Sequence, residues 1–390
     1  MSSKHKDLLQ SKTWVEVSSG AVKNNIKAFQ TSLHKKVELM AVVKSNAYGH
    51  GLLEIASMAR RAGVKWFGVD SLDEGLILRK AGFTELILIM GYTRPGQVEE
   101  AIRHDLDFVA YDLGVLQTVK QLSERGVLKK SPAHIHLKVE TGTVRQGLAG
   151  QTLIDYARRA MDIKGLHIRG VYTHFANIED TTDHAFANRQ LDSFNQALKQ
   201  LSAAGCDPLI KHTACSAAAF LFPETHFNLI RMGISLYGHW SSKETRAVAQ
   251  KQHKDIILKP ALTWKTVIAQ IKDVPKGTAI GYGLTEKVTR KSKIAVLPVG
   301  YWDGYDRKLS GLGNVLIRGK RCKVVGRICM NMMMVDVTDV KGAAAEDEVV
   351  LLGSQKKDMI SAEELAGKIG TINYEVITRI NPWLPRIAVK

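Results

Sequence analysis

The chain has 390 residues, 45% of them hydrophobic and 24% charged, a balance that fits one large or two ordinary globular domains and excludes a disordered chain. The formal charge of +17 is spread along the sequence, and the dense run from Lys287 to Lys293 carries no interleaved aromatics, so nucleic-acid binding is not expected; a mild attraction for small anions is. The opening MSSKHKDLLQSKTW lacks an apolar stretch, no run approaches membrane-spanning length, and Cys206, Cys215, Cys322 and Cys329 form no C-x-x-C pair, which together predict a cytoplasmic protein with free thiols, no membrane span and no metal site.

In chain order, short apolar runs alternate with amphipathic stretches through the first ~240 residues. Predicted strands are LMAVVK ending at Lys44, WFGVD at Asp70, LILIM at Met90, DFVAY at Tyr111, HIHLKV at Val139, IRGVYTH at His174, IKHTA at Ala214 and NLIRM at Met232. Helices are predicted between them, for example from Leu52 and from Asn188, closing on Gly63 and Gly205. Eight runs alternating with helices favour an α/β architecture, a (β/α)8 barrel, over an open doubly wound sheet. The polar SSKETRAVAQKQHK after Trp240 reads as a linker, placing the barrel at residues 1–245, with the first ~12 residues able to pack on the second domain. Residues 246–390 then read as a smaller, mainly-β domain. Its segments are ALTWKTVIAQI, KIAVLPVGYW, NVLIRGKRCKVVG and CMNMMMVDV, with one short helix at AEELAGKIG and a closing RIAV.

A barrel carries its working residues at the C-terminal ends of its strands. The polar residues there are Lys44, Arg145, His174, Ser216 and Arg231, a convergence beyond ordinary surface polarity. Lys44 follows the apolar AVV. A lysine closing a buried strand costs desolvation unless it snorkels, pairs or is used covalently, and burial would free its amine to attack a carbonyl. His50 and Gly49 are expected to open the following helix. Tyr48 alone also admits a core-filler reading, the lesser one, while Tyr282 between glycines reads first as a turn aromatic. His134, His136 and His212 read as ordinary strand or loop residues without a role, and Met332, Met333 and Met334 as core packing.

AVVKSNAYGHG resembles the cofactor-attachment motif of alanine racemases. The resemblance continues in order through KVETGTVRQG, YTHFAN, HTACSAA, FNLIRMGISLYG, GYG, LPVGYWDGY, GRICMN and TINYEV, spanning roughly residues 40 to 380. It implies a pyridoxal 5'-phosphate enzyme interconverting L- and D-alanine by a two-base mechanism and supplying D-alanine for peptidoglycan. It also implies a homodimer with shared active sites, whose small-molecule substrate is an amino acid. Lys44 matches the lysine that holds the cofactor as a Schiff base, and Tyr282 the second base. Tyr48, Ser216, Gly233, Ile234 and Tyr374 match the phosphate site. Arg231 matches an arginine facing the pyridine nitrogen, where a group that does not deprotonate leaves that nitrogen unprotonated and suppresses transamination. His174 matches a histidine near the ring, linked to Arg231. Arg145 and Met330 match substrate-carboxylate contacts, Arg145 also meeting the cofactor hydroxyl, and Lys138 matches a position that is a carbamylated lysine in many members. The chain departs from the family pattern at Asn331 and at Thr143, where aspartate and methionine are usual. A racemase for serine, lysine or a broad range of amino acids is therefore the nearest alternative; a fold-related decarboxylase would lack the pair Arg231 and Tyr282.

Overall fold

The computed structural model describes residues 11–252 and 256–390. They divide into two compact units, one of residues 22–47 and 55–259, the other of 11–21, 48–54 and 260–390.

The first unit is a barrel of eight parallel strands. They are Glu38–Val42, Trp66–Val69, Leu86–Ile89, Asp107–Ala110, Ala133–Lys138, Leu166–Tyr172, Ile210–His212 and Leu229–Met232, each on a segment predicted from the sequence. The sheet runs from the seventh strand back to the first and on to the eighth. Seventh and eighth are joined by the Arg231 N–H to Ala214 O bond of 3.0 Å rather than by a full ladder, so the barrel is nearly closed. Three of these strands, Trp66–Val69, Asp107–Ala110 and Leu229–Met232, are buried along their whole length, as parallel strands covered by helices are. Met40, Trp66, Leu88, Val109, Tyr172 and Leu229, from six different strands, form one core cluster. The helix Leu72–Lys80 starts where Ser71 accepts the Glu74 N–H, and Leu113–Glu124 where Asp112 accepts those of Gly114 and Val115.

The stretch expected as a linker is instead the helix Lys243–Gln252 of the barrel unit. Ser242 Oγ caps it by accepting the Thr245 N–H at 3.0 Å, and Thr245 and Ala249, one turn apart, are its buried face. The division between units falls after Lys259 rather than at residue 245.

The second unit is mainly β. Its large sheet runs Gln270–Val274, Ser292–Leu297, Met333–Asp336, Lys320–Val325, Asn314–Ile317, Glu348–Gln355, Leu262–Val267, Thr13–Ser18 and Arg386–Val389. Thr13–Ser18 pairs antiparallel to Leu262–Val267 and parallel to Arg386–Val389, so the early strand belongs to this unit. Residues 1–10, most of the segment expected to pack here, lie outside the described residues. Segment 48–54 also belongs to it. The Arg386 guanidinium donates to Gly49 O at 3.0 and 3.1 Å, and a Cβ on Gly49 would stand 2.1 Å from Ile377 O, so only glycine fits.

Candidate active site

Lys44 ends the first barrel strand, and the chain then makes a left-handed turn. Ser45, Asn46, Ala47 and Tyr48 have φ of 51–56°, a conformation costing a non-glycine residue about 1–2 kcal/mol. The turn is held by Ala47 N–H to Val43 O at 2.8 Å and Asn46 N–H to Glu74 Oε1 at 3.1 Å. The helix expected to open at Gly49 and His50 starts at Leu52. Of the readings open to Lys44, the structure shows pairing. Its side chain is 39% exposed and Nζ lies 3.3 Å from Asp70 Oδ1, because the preceding apolar residues face the core while the amine reaches past the strand end. A carboxylate partners this amine.

Arg231, on the eighth strand, is buried. One terminal nitrogen donates to His212 Nδ1 and His212 O, both at 2.8 Å; the other donates to Thr173 O and Thr213 O at 2.8 Å and approaches His174 Nδ1 at 3.3 Å. Its Nε–H takes no acceptor among the described residues. Because arginine only donates, His174 Nδ1 and His212 Nδ1 must both be acceptors, which fixes their neutral tautomers. Burial first, then the Arg231 charge, holds both imidazoles well below the ordinary histidine pKa.

Lys138, at the end of the fifth strand, is 1% exposed, and its Nζ has no hydrogen-bond partner among the described residues. It lies 4.3 Å above the Tyr172 ring, which the Arg231 guanidinium approaches at 5.1 Å from its centroid. Burial, then the charges of Arg231 and Arg145, holds the Lys138 amine well below its usual pKa. Arg145 is exposed on a loop folded around Glu140, whose carboxylate accepts the N–H groups of Gly142 and Arg145 and the Thr143 hydroxyl. Ser216 Oγ accepts the N–H of Gly233 at 3.0 Å and of Ser235 at 3.4 Å, leaving its own O–H to donate. The Ile234 N–H finds no acceptor among the described residues.

In the β unit, Tyr48 and Tyr374 stand with ring centroids 6.2 Å apart. Tyr282 sits between Gly281 and Gly283, both at φ 72°, and is 70% exposed. It lines a cleft of ≈ 890 Å³ with Tyr301, Arg307, Cys329, Met330 and Asn331. Of the three consecutive methionines, Met333 is buried in its strand, but Met332 is exposed beside Met330.

The sequence reading gave His136 and His212 no role, yet both lie in the network around Arg231. His136 is two residues before Lys138 in the same strand, so a shared face was legible from the period of two. Asp107 and Asp70 had no such signal, since their partners are distant in sequence.

Residues 17–240 match the model of the alanine racemase N-terminal domain, and residues 261–388 that of the C-terminal domain. The chain belongs to the alanine racemase family. An alanine racemase of Leptospira interrogans is 38% identical over 390 residues, covering 100% of this chain and 98% of the relative. One from Carboxydothermus hydrogenoformans is 40% identical over 377 residues, covering 96% and 99%. The crystal structure of the Bacillus anthracis alanine racemase with bound L-Ala-P superposes with a TM-score of 0.90 at 35% identity, covering 97% of this chain and 95% of that one. The family comprises pyridoxal-phosphate-dependent amino-acid racemases, and the chain spans its members' length with both domains. Among the described residues no helix is long and apolar enough to cross a membrane, and no group of side chains is arranged to hold a metal ion.

Proposed function

We propose that the chain interconverts L- and D-alanine with pyridoxal 5'-phosphate, in the cytoplasm, as a homodimer whose sites are shared between subunits. The observation that carries the reading is Arg231. It is a buried, permanently charged group with four N–H bonds fixed on protein acceptors and Nε–H left over, which fits an unprotonated pyridine nitrogen. The remaining groups fit the same ligand. The Ser216 hydroxyl and the Ile234 N–H offer donors to a phosphate, and Gly233, Tyr48 and Tyr374 are assigned to the same group by their match to the family's phosphate site. When bound, pyridoxal phosphate supplies an electron sink that acidifies the Cα–H of an amino acid joined to it.

Lys44 is the attachment lysine and one base; its amine, once released to the substrate side, moves a proton at Cα. Tyr282 is the second base and serves the opposite face. His174, neutral with Nδ1 held toward Arg231, carries its proton on Nε2 and can relay the arginine's field to that phenol. Arg145 and the Met330 N–H orient the substrate carboxylate. Lys138, buried and unpaired, is the amine that would react with carbon dioxide, since only the neutral form does so; its carbamate would then orient Arg145.

Exposure of Tyr282, Met330 and Met332 in an open cleft supports the dimer, because a base needs a water-excluded setting that another subunit can provide. The test is direct. Purified protein given L-alanine should accumulate the D-enantiomer; accumulation only from serine or lysine would replace the substrate assignment. Lys44→Ala and Tyr282→Phe, each nearly inactive, should on mixing and exchange form about half heterodimers, each with one intact site, and recover roughly a quarter of wild-type activity. Heterodimers shown by tagged-subunit pulldown but without recovered activity would place both bases in one chain.

A further inference from the structure

Behind Arg231 the barrel core holds a line of polar groups. The His212 Nε2 and His136 Nδ1 atoms are 3.0 Å apart, and His136 Nε2 is 3.2 Å from Asp107 Oδ2. The other Asp107 oxygen accepts from Arg169 at 2.6 Å. His136 and His212 are fully buried and Asp107 nearly so. Such groups are costly to bury unless every one is satisfied, so the arrangement of their protons is strongly constrained.

The protons can be placed from geometry. Arg231 can only donate, so His212 Nδ1 accepts and its proton is on Nε2. That proton points at His136 Nδ1, which must accept, leaving the His136 proton on Nε2 facing a carboxylate. A doubly protonated His136 would set two N–H groups against each other at the 3.0 Å contact. We infer that Asp107, His136 and His212 are positioning residues, forming a one-directional hydrogen-bond chain from Arg231 to Asp107 that keeps the guanidinium in place. The inference rests on the reading of Arg231 as the group facing the cofactor.

Local structure is shaped around this chain. A β-bulge in the sixth strand sets Ile135 opposite Ile168 but His136 opposite Gly170, so Arg169 is the extra residue that reaches Asp107. Gly170 has no unusual φ, yet a Cβ there would stand 2.3 Å from His136 Nδ1. The glycine is required by the imidazole rather than by the backbone. His212 lies flat on the Tyr172 ring, 4.6 Å between centroids and 4° between planes, which fixes its rotation.

Direction makes the inference testable. Asp107→Asn offers one acceptor and one donor side. Arg169, a charged donor, claims the amide oxygen, so the amide NH2 faces His136 Nε2. His136 must then accept there and carry its proton on Nδ1; His212 must accept at Nε2 and carry its proton on Nδ1, against the Arg231 N–H. One nearly isosteric substitution, carboxylate to amide, thus reverses both tautomers and removes the His212–Arg231 bond. Removing the Arg169 donor as well frees the amide oxygen to turn to His136 and restores the original direction.

Nitrogen NMR of ¹⁵N-histidine holoenzyme, assigned with His136→Gln and His212→Gln, should show both residues protonated on Nε2 in the wild type. Either residue protonated on Nδ1, or on both nitrogens, overturns the chain, whether or not the protein racemises alanine. Asp107→Asn should switch both to Nδ1 and lower kcat about tenfold, the loss of one hydrogen bond to a charged group. Adding Arg169→Met should return the Nε2 tautomers and most of kcat; a double variant as slow as Asp107→Asn or slower reduces the residues to ordinary packing. Gly170→Ala, which removes no polar group, should erase the His136–His212 contact in the same spectra. If the tautomers behave as stated while no racemisation is seen, the chain stands and the cofactor-facing role of Arg231 falls.

Discussion

In the barrel unit, Arg231, His212, His136 and Asp107 are buried and hydrogen-bonded to one another or to backbone carbonyls, while in the β unit Tyr282, Met330 and Met332 are exposed along an open cleft. The barrel holds this line of polar groups on partners inside one chain, because an interior donor without an acceptor costs roughly 1–3 kcal/mol. The β unit leaves apolar and phenolic groups in water, which is tolerable for a surface that another protein covers. The proposed machinery is therefore half finished by folding and half by association.

The largest expected effect is at Lys44. Lys44→Ala should abolish racemisation, and borohydride should no longer fix the cofactor to the chain; a reduced cofactor mapped to any other lysine breaks the assignment. Next, Arg231→Glu sets a carboxylate against the His212 Nδ1 lone pair and four positions tuned to a donor. Racemisation should fall roughly 100-fold or more, with transamination rising as a fraction of turnover. Unchanged racemisation would show that the buried guanidinium serves stability alone.

Lys138 sharpens the contrast, being the one barrel amine in this region without a hydrogen-bond partner among the described residues. If unmodified it is buried at a cost, so Lys138→Met should stabilise bicarbonate-free protein by on the order of 1–3 kcal/mol. Bicarbonate should raise the melting temperature of wild type and leave Lys138→Met unmoved; equal responses would dismiss the carbamate. A smaller effect concerns acid. His174 and His212 have folded pKa values well below the ordinary one, so the unfolded chain binds more protons below about pH 6.5 and stability should drop as pH falls through that point. His174→Gln should flatten that acid limb in a denaturation series; an unaltered slope would mean the imidazole is not held neutral. Smallest is Ser216→Ala, which leaves the Gly233 N–H without its acceptor and should cost about 1 kcal/mol, with weaker cofactor retention on dialysis.

The eight barrel strands and the approximate positions of Lys44, Arg231, His174 and Ser216 were legible in the sequence, because apolar runs closing on a polar residue report the buried strand and its exposed end together. The motifs in order identified the family for the same reason: they are local. What local pattern could not convey was pairing between strands. His136 and His212 looked like strand residues, and only the bulge opposite Gly170, the Arg169–Asp107 contact and the stacking on Tyr172 turn them into one network. Lys44 takes one of the readings open to it, pairing, but its apolar neighbours say where the strand lies and nothing of Asp70, which comes from the next strand. The linker that proved to be a helix, and the early strand Thr13–Ser18 beside the carboxyl-terminal one, belong to the same class. Sequence period fixes which face a residue shares with its neighbours in the chain; which distant side chain meets it there is set by strand order and register, and those exist only once the sheets have closed.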